Sequence, residues 1–144
     1  MMNRMIGLLG FIFTIQAHAD GHQGGVSIEV NGFHSQAGKV MIALAASKEE
    51  YDNDQNTFRQ TEFRINNGQV IWNITNLPPG EYAIKLYHDE NDNGKLDTNF
   101  FGIPKEDIGF SNNASARFGA PAYKEVKFQV IDNLVKQTIQ IKYF

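Results

Sequence analysis

Leu77-Pro78-Pro79-Gly80-Glu81-Tyr82-Ala83-Ile84-Lys85-Leu86-Tyr87-His88 is the stretch whose reading decides the fold. Proline holds φ near about −65° and glycine accepts angles other residues refuse, so Pro78-Pro79-Gly80 predicts a tight turn. From Tyr82 the chain alternates. Tyr82, Ile84, Leu86 and His88 fall on one face of a strand, and Ala83, Lys85 and Tyr87 on the other. A tyrosine that opens a strand directly after such a turn reads as the tyrosine corner of a β-sandwich, its hydroxyl tied back to upstream backbone. Tyr82 is therefore expected to be structural rather than catalytic.

Upstream, Phe63-Arg64-Ile65 and Val70-Ile71-Trp72-Asn73-Ile74 flank Asn66-Asn67-Gly68. Asn-Gly predicts a hairpin because both residues tolerate φ > 0, and Val70, Trp72 and Ile74 share a face, which puts the single tryptophan in the core. Val26–Val30 and Lys39–Ala45 read as two further strands joined by a turn. Between them and the hairpin, Ser47 with Glu50 three residues on fits a capping box and predicts a short helix in an otherwise polar segment. Downstream, Val126, Phe128 and Val130, then Val135, Gln137, Ile139, Ile141 and Tyr143, predict two antiparallel strands, each with one wet face.

Straight after the deciding strand comes the densest run of carboxylates and amides, His88-Asp89-Glu90-Asn91-Asp92-Asn93-Gly94-Lys95-Leu96-Asp97. Asp89, Asn91 and Asn93 recur at every second residue, then Gly94 permits a sharp turn and Lys95 can offer a backbone carbonyl. That is the oxygen spacing of a calcium loop, with Asp97 at its ninth position. Phe100 stands at the twelfth position, where an EF-hand has a bidentate glutamate, so the loop is not an EF-hand. Glu90, Asp92, Glu106 or Asp107 is then needed to complete the shell. With two neutral amides among the leading ligands, affinity is expected to be weak, on the order of 10⁻⁴–10⁻³ M. The competing reading is an ordinary Asn/Asp/Gly turn. Leu96 is expected to face the core.

Thr98–Tyr123 has little periodicity but carries Phe100, Phe101, Phe110, Phe118 and Tyr123. A loop this long in a compact domain is functional or packed on itself. A satellite core is the expectation, because five aromatics in water are a liability. The alternative is a ligand platform beside Asn112, Asn113 and Arg117.

The first residues predict a secretory signal peptide over 1–19: Arg4, the apolar run Ile6–Ile15, then Ala17-His18-Ala19 as a cleavage site. The apolar run is short of the roughly 20 residues a bilayer span needs. The expected mature domain, 20–144, carries a formal charge of 12 − 16 = −4 after loss of Arg4. That mild acidity, with no basic patch, argues against nucleic acid and against general binding to anionic membranes. With no cysteine, an exported domain must rest on packing or bound ions. Asp20-Gly21-His22 at a new N-terminus has the amine-amide-imidazole set for Cu(II) or Ni(II), though a frayed terminus is the simpler reading.

Several motifs occur in order: Leu77-Pro78-Pro79-Gly80-Glu81-Tyr82, His88-Asp89-Glu90-Asn91, Asn93-Gly94-Lys95-Leu96-Asp97, Gly102-Ile103-Pro104-Lys105-Glu106, Gly109-Phe110-Ser111-Asn112-Asn113-Ala114 and Phe118-Gly119-Ala120-Pro121. Together, over roughly Val40–Val130, they resemble an uncharacterised family of exported bacterial proteins, domain of unknown function 2141. The Leu-Pro-Pro-Gly-Glu-Tyr corner is also similar to that of transthyretin-like and collagen-adhesin B-type sandwiches. The resemblance implies export, to the periplasm or outside the cell, and transfers no activity.

The expectation is an all-β fold, a single antiparallel β-sandwich of about seven strands, Ig-like or prealbumin-like, with a long loop 98–123. In function it reads as a non-enzymatic exported binding or accessory domain for a protein or carbohydrate ligand. Its calcium ligands would be Asp89, Asn91, Asn93, Lys95 and Asp97. Two alternatives stand beside it: a structural partner in a cell-envelope assembly, and a hydrolase built on His88 and Asp89 with Ser111. No Gly-x-Ser-x-Gly elbow, His-Glu-x-x-His motif or P-loop supports the last.

Overall fold

The computed structural model describes residues 24–53 and 57–143. The expected signal peptide and the Asp20-Gly21-His22 set lie outside the described residues.

Eight strands are present among the described residues: β1 Gly24–Asn31, β2 Lys39–Ala45, β3 Arg59–Phe63, β4 Gln69–Leu77, β5 Gly80–Asp89, β6 Ile108–Phe110, β7 Phe128–Val130 and β8 Leu134–Gln140. One sheet has the order β4-β1-β8; the other has the order β3-β2-β5-β6, with β7 pairing the start of β5. The inner faces interdigitate. Val26, Ile28 and Val30 of β1, Val70 and Ile74 of β4 and Ile139 of β8 meet Val40, Ile42 and Leu44 of β2 and Tyr82, Ile84 and Leu86 of β5. This is the expected all-β sandwich, and alternation along β1, β2 and β5 builds it. Trp72 is half-buried against this core, its ring 6.3 Å from that of Phe63.

The tyrosine corner forms as the sequence predicts: the Tyr82 hydroxyl donates to Pro78 O at 2.7 Å. The short helix also forms, as α1 Lys48–Asp52. Ser47 Oγ accepts from Glu50 N at 3.2 Å, while Glu50 Oε2 reaches past the cap to accept from Ala46 N at 2.8 Å.

Three pairings differ from expectation. Asn66 and Gln69 close a two-residue turn with reciprocal bonds of 3.1 Å, and Asn67 and Gly68 have positive φ, yet the flanking strands part at once. β3 pairs with β2 and β4 with β1, so the turn crosses between the sheets instead of closing a hairpin within one. β1 and β2 likewise lie in different sheets. The last strand runs parallel to β1, Gly25↔Leu134 through Asn31↔Gln140, while β7 pairs antiparallel with β5. The chain between them passes through the other sheet and supplies the crossover a parallel pair needs, so local turn rules do not govern this pair. β8 stops at Gln140, and Tyr143 is exposed.

β5 is covered on both faces where it begins. Ala83, on its outer face, is buried under Tyr51 of α1, Phe110 of β6 and Val126 of α2 (Tyr123–Val126). Val126 therefore belongs to a helical turn in this second core rather than to a strand alternation. Segment 98–123 also has structure, since β6 and a 3₁₀ turn at Ser111–Asn113 lie within it.

Candidate functional site

The polar loop after β5 is folded around one buried carboxylate. Asp89, the last residue of β5, is wholly buried. Its Oδ1 accepts from Asn93 N at 3.0 Å and its Oδ2 from Gly94 N at 2.8 Å. Both oxygens therefore bind backbone of the loop, and the positive φ of Asp92 and Gly94 makes the reversal. Asn91 Oδ1 accepts from Asn93 N at 3.2 Å and Asn93 Oδ1 from Lys95 N at 2.9 Å. The two side-chain amides then converge on Asp97. Asn91 Nδ2 donates to Oδ2 at 2.5 Å, and Asn93 Nδ2 lies 3.1 Å from each carboxylate oxygen. Four of the five expected ligands are thus drawn together by their side chains, and Lys95 joins through its backbone N–H. Leu96, expected to face the core, is exposed, because the next turn carries it outward.

Glu106 closes the loop from below. It is buried; its Oε2 accepts from Asp97 N at 3.0 Å, the Glu90 backbone N–H also faces the carboxylate, and Oε1 meets no donor in good hydrogen-bond geometry. Burial pushes its carboxyl above the usual carboxylate range, and the charges of Asp97 and Asp89 push the same way. Asp92 points elsewhere, 3.3 Å from Lys39 Nζ and 3.0 Å from Arg64 Nη2. The hydrogen bond from Lys39 leads in holding its carboxyl below the usual range. Gly38 abuts the same loop. It has φ +66°, and a Cβ there would lie 1.9 Å from Asp89 O.

A family model described as an uncharacterized protein conserved in bacteria (DUF2141) matches residues 28–138. The chain belongs to this family. No curated protein and no solved structure matches it. The DUF2141 match runs from within β1 to within β8 and so takes in both sheets, the polar loop and the long segment after it.

The drawn Ser-His-Asp arrangement does not assemble in this DUF2141 domain. Ser111 is buried; its hydroxyl donates to Val126 O at 2.5 Å and accepts from Ile84 N at 2.9 Å. His88 stands four strand residues beyond Ile84, about 13 Å along β5, and its Nε2 lies 2.6 Å from Ala37 O. A carbonyl can only accept, so Nε2 carries the proton, and the buried Nδ1 is left without a partner. No three His, Asp or Glu side chains among the described residues converge to hold a metal, so any cation here needs amide and carbonyl oxygens as well.

His34 escaped the sequence reading. It lies between β1 and β2, with Nδ1 2.6 Å from Asp107 Oδ2 and Nε2 3.2 Å from Glu90 Oε1. Ser35 Oγ donates to the same Glu90 oxygen at 2.5 Å. Both ring nitrogens can donate at once only in the protonated imidazole. The partners are 56 and 73 positions away in the chain, and no local motif announces them.

The aromatic segment divides. Phe110 is buried in the second core and Tyr123 is packed against it, but Phe100, Phe101 and Phe118 are exposed. The satellite core is therefore real and smaller than expected. The ligand-platform alternative also changes. Asn112 and Asn113, both at positive φ, bond to backbone instead: Asn112 Nδ2 to Lys127 O at 2.9 Å, Asn113 Nδ2 to Thr138 O at 2.9 Å. They pin the 3₁₀ turn to its neighbours.

Proposed function

We propose that the chain is an exported, non-enzymatic binding domain whose 89–97 loop takes a weak calcium ion. The observation that carries this reading is the buried, unpartnered Oε1 of Glu106 beneath a loop that already gathers Asn91, Asn93 and Asp97. A buried carboxylate oxygen with no well-aligned donor costs free energy that a cation offsets. The donor set would be all oxygen: the Asp97 and Glu106 carboxylates, the Lys95 carbonyl and, once their amides turn from donating to Asp97, the Asn91 and Asn93 side-chain oxygens. Hard oxygens without imidazole or thiolate suit calcium. Asp89 shapes the loop from within, since both its oxygens hold backbone N–H groups. The non-enzymatic reading is supported by Ser111 and His88, each engaged with backbone. Export is supported by the pattern of residues 1–19.

The test is thermal unfolding of the processed chain in EDTA and at millimolar calcium. A site of the expected affinity contributes about 1.5–3 kcal/mol at roughly 10 mM calcium. The midpoint of the wild type rises and that of Asp97→Ala stays fixed. A wild-type midpoint that ignores calcium ends the cation reading.

A further inference from the structure

We propose that the outer edge of β4 is the pairing edge of a homodimer. Residues 71–75 of two copies join antiparallel about a two-fold axis at Asn73 and make one continuous sheet, β8-β1-β4-β4-β1-β8. The proposal goes beyond the binding reading and needs neither the cation nor a ligand.

A strand at the margin of a sheet leaves every second N–H and C=O unpaired, and it recruits another strand unless it is short, charged or covered. The other margins of this sandwich are so guarded. β3 has five residues and carries Arg59 and Glu62. β6 and β7 have three each, and Ile108 of β6 exchanges both its backbone bonds with Lys142 at 2.9 Å. On β8 the Asn113 side chain imitates a strand residue: Nδ2 donates to Thr138 O at 2.9 Å and Oδ1 accepts from Gln140 N at 2.8 Å. β4 has none of these devices. It runs for nine residues, and the sequence from Ile65 to Gly80 contains no charged residue. Trp72 on its inner face is only partly buried, so the margin of the core is also open here.

The backbone of β4 is turned outward for such a pairing. Gln69 exchanges both its backbone bonds with Asn66, on the side away from β1. By alternation the N–H and C=O of Ile71 and Asn73 also point away from β1, as do those of Thr75 up to the bulge before Leu77. Their side chains lie on the exposed outer face. Neutrality selects a second copy as the partner. Two-fold pairing sets each residue against itself or its mirror position, so a charged edge would meet its own charge and a neutral one does not. An axis through Asn73 sets amide against amide, with a donor and an acceptor on each, and sets Ile71 against Thr75, a β-branched pair. The flanking charges are already matched within one chain. Glu29, opposite Ile71 on β1, is held by Lys136 at 2.9 Å, Arg64 by Asp92 at 3.0 Å and Glu81 by Lys127 at 2.7 Å.

The experiment is sedimentation equilibrium of the processed chain from about 10 µM to about 1 mM, the range a single strand-to-strand interface is expected to need. The wild type is expected to pass from monomer to dimer across it. Asn73→Lys and Asn73→Asp change an exposed side chain and are expected to keep the fold, checked by their unfolding midpoints. Each alone places like charges face to face on the axis and is expected to raise the dissociation constant several-fold or more. Mixed in equal parts, the two variants are expected to dimerise again, because ammonium then meets carboxylate. Asn73→Cys adds the single thiol of the chain. It is expected to oxidise to a linked dimer, since the Cα atoms of a hydrogen-bonded antiparallel pair stand about 5.5 Å apart, within disulfide reach. A wild type that stays monomeric throughout the range overturns the proposal and leaves the edge to a strand of another protein. A dimer indifferent to both charges, or weakened by each and not restored by mixing, overturns the pairing at Asn73. The crosslink needs no charge on the strand, so its absence overturns the proposal whatever the charged variants do.

Discussion

Two neighbouring reversals, 89–97 and 97–105, break the rule of apolar inside and polar outside in opposite directions. The first buries the Asp89 carboxylate completely. The second holds two phenylalanines in water. Both are hydrogen-bonded turns that meet at Asp97, whose carboxylate belongs to the first and whose carbonyl, bonded to Lys105 N, belongs to the second. The difference lies in what each side chain contributes. Asp89 supplies two acceptors for backbone N–H groups that would otherwise be orphaned, so its burial is part of folding. Phe100 and Phe101 join neither core, so their placement adds little stability. A polar residue buried with its bonds made belongs to the fold; a large apolar residue held out on a rigid turn is not needed by it.

The comparison breaks first at Asp89. Asp89→Ala removes both backbone anchors of the loop and is expected to cost about 2–4 kcal/mol. Chemical denaturation checks it, and a loss below about 1 kcal/mol would make the carboxylate dispensable to folding. Gly38→Ala strikes the same loop from the other side, forcing a methyl onto the Asp89 carbonyl. A loss of about 2–3 kcal/mol is expected, with weakened calcium response, read by the same titration.

Glu106→Gln acts in the opposite direction. Its folded-state carboxyl titrates above the unfolded value, so the neutral form favours the fold. That favour is fully present below the ordinary glutamate range and is lost as pH rises through the raised folded value. In EDTA the variant is therefore expected to match the wild type in acid and to exceed it as pH rises towards neutrality. It is also expected to lose any calcium response. Unfolding midpoints across pH test this, and a variant less stable than wild type at neutral pH in EDTA would show the charge to be satisfied. The smallest stability effect belongs to the other turn. Phe100→Ser/Phe101→Ser is expected to stay within about 0.5 kcal/mol of wild type in the same denaturation. A larger loss would mean that the rings pack somewhere, and the contrast between the turns would collapse.

Much of this fold was legible in single residues. Pro78 and Tyr82 announced their corner because a hydroxyl four residues from a carbonyl acts locally. Ser47 announced α1 for the same reason. The asparagine turn at 66–69 was legible as a turn, but which sheets its strands joined was not, since pairing depends on partners such as Val40 opposite Phe63. At the candidate site the spacing Asp89, Asn91, Asn93 and Asp97 foretold the convergence, because side-chain-to-backbone bonds two to five residues apart close it. His34 with Asp107 was invisible, as was the difference between a buried Phe110 and an exposed Phe100, two residues of one type in one segment.

By itself the sequence determined what acts over a few residues: the alternation of β1, β2 and β5, the tight turns, the cap, and the polar loop with its oxygen spacing. It also carried the resemblance to DUF2141, which the match over residues 28–138 bears out. Only the tertiary structure decided the parallel pairing of β8 with β1, the crossing of the asparagine turn between sheets, and the fates of Glu106, His34 and the phenylalanines. The reason is that burial and strand pairing are settled by surfaces from distant parts of the chain, and a residue's own neighbours say little about which surface will arrive.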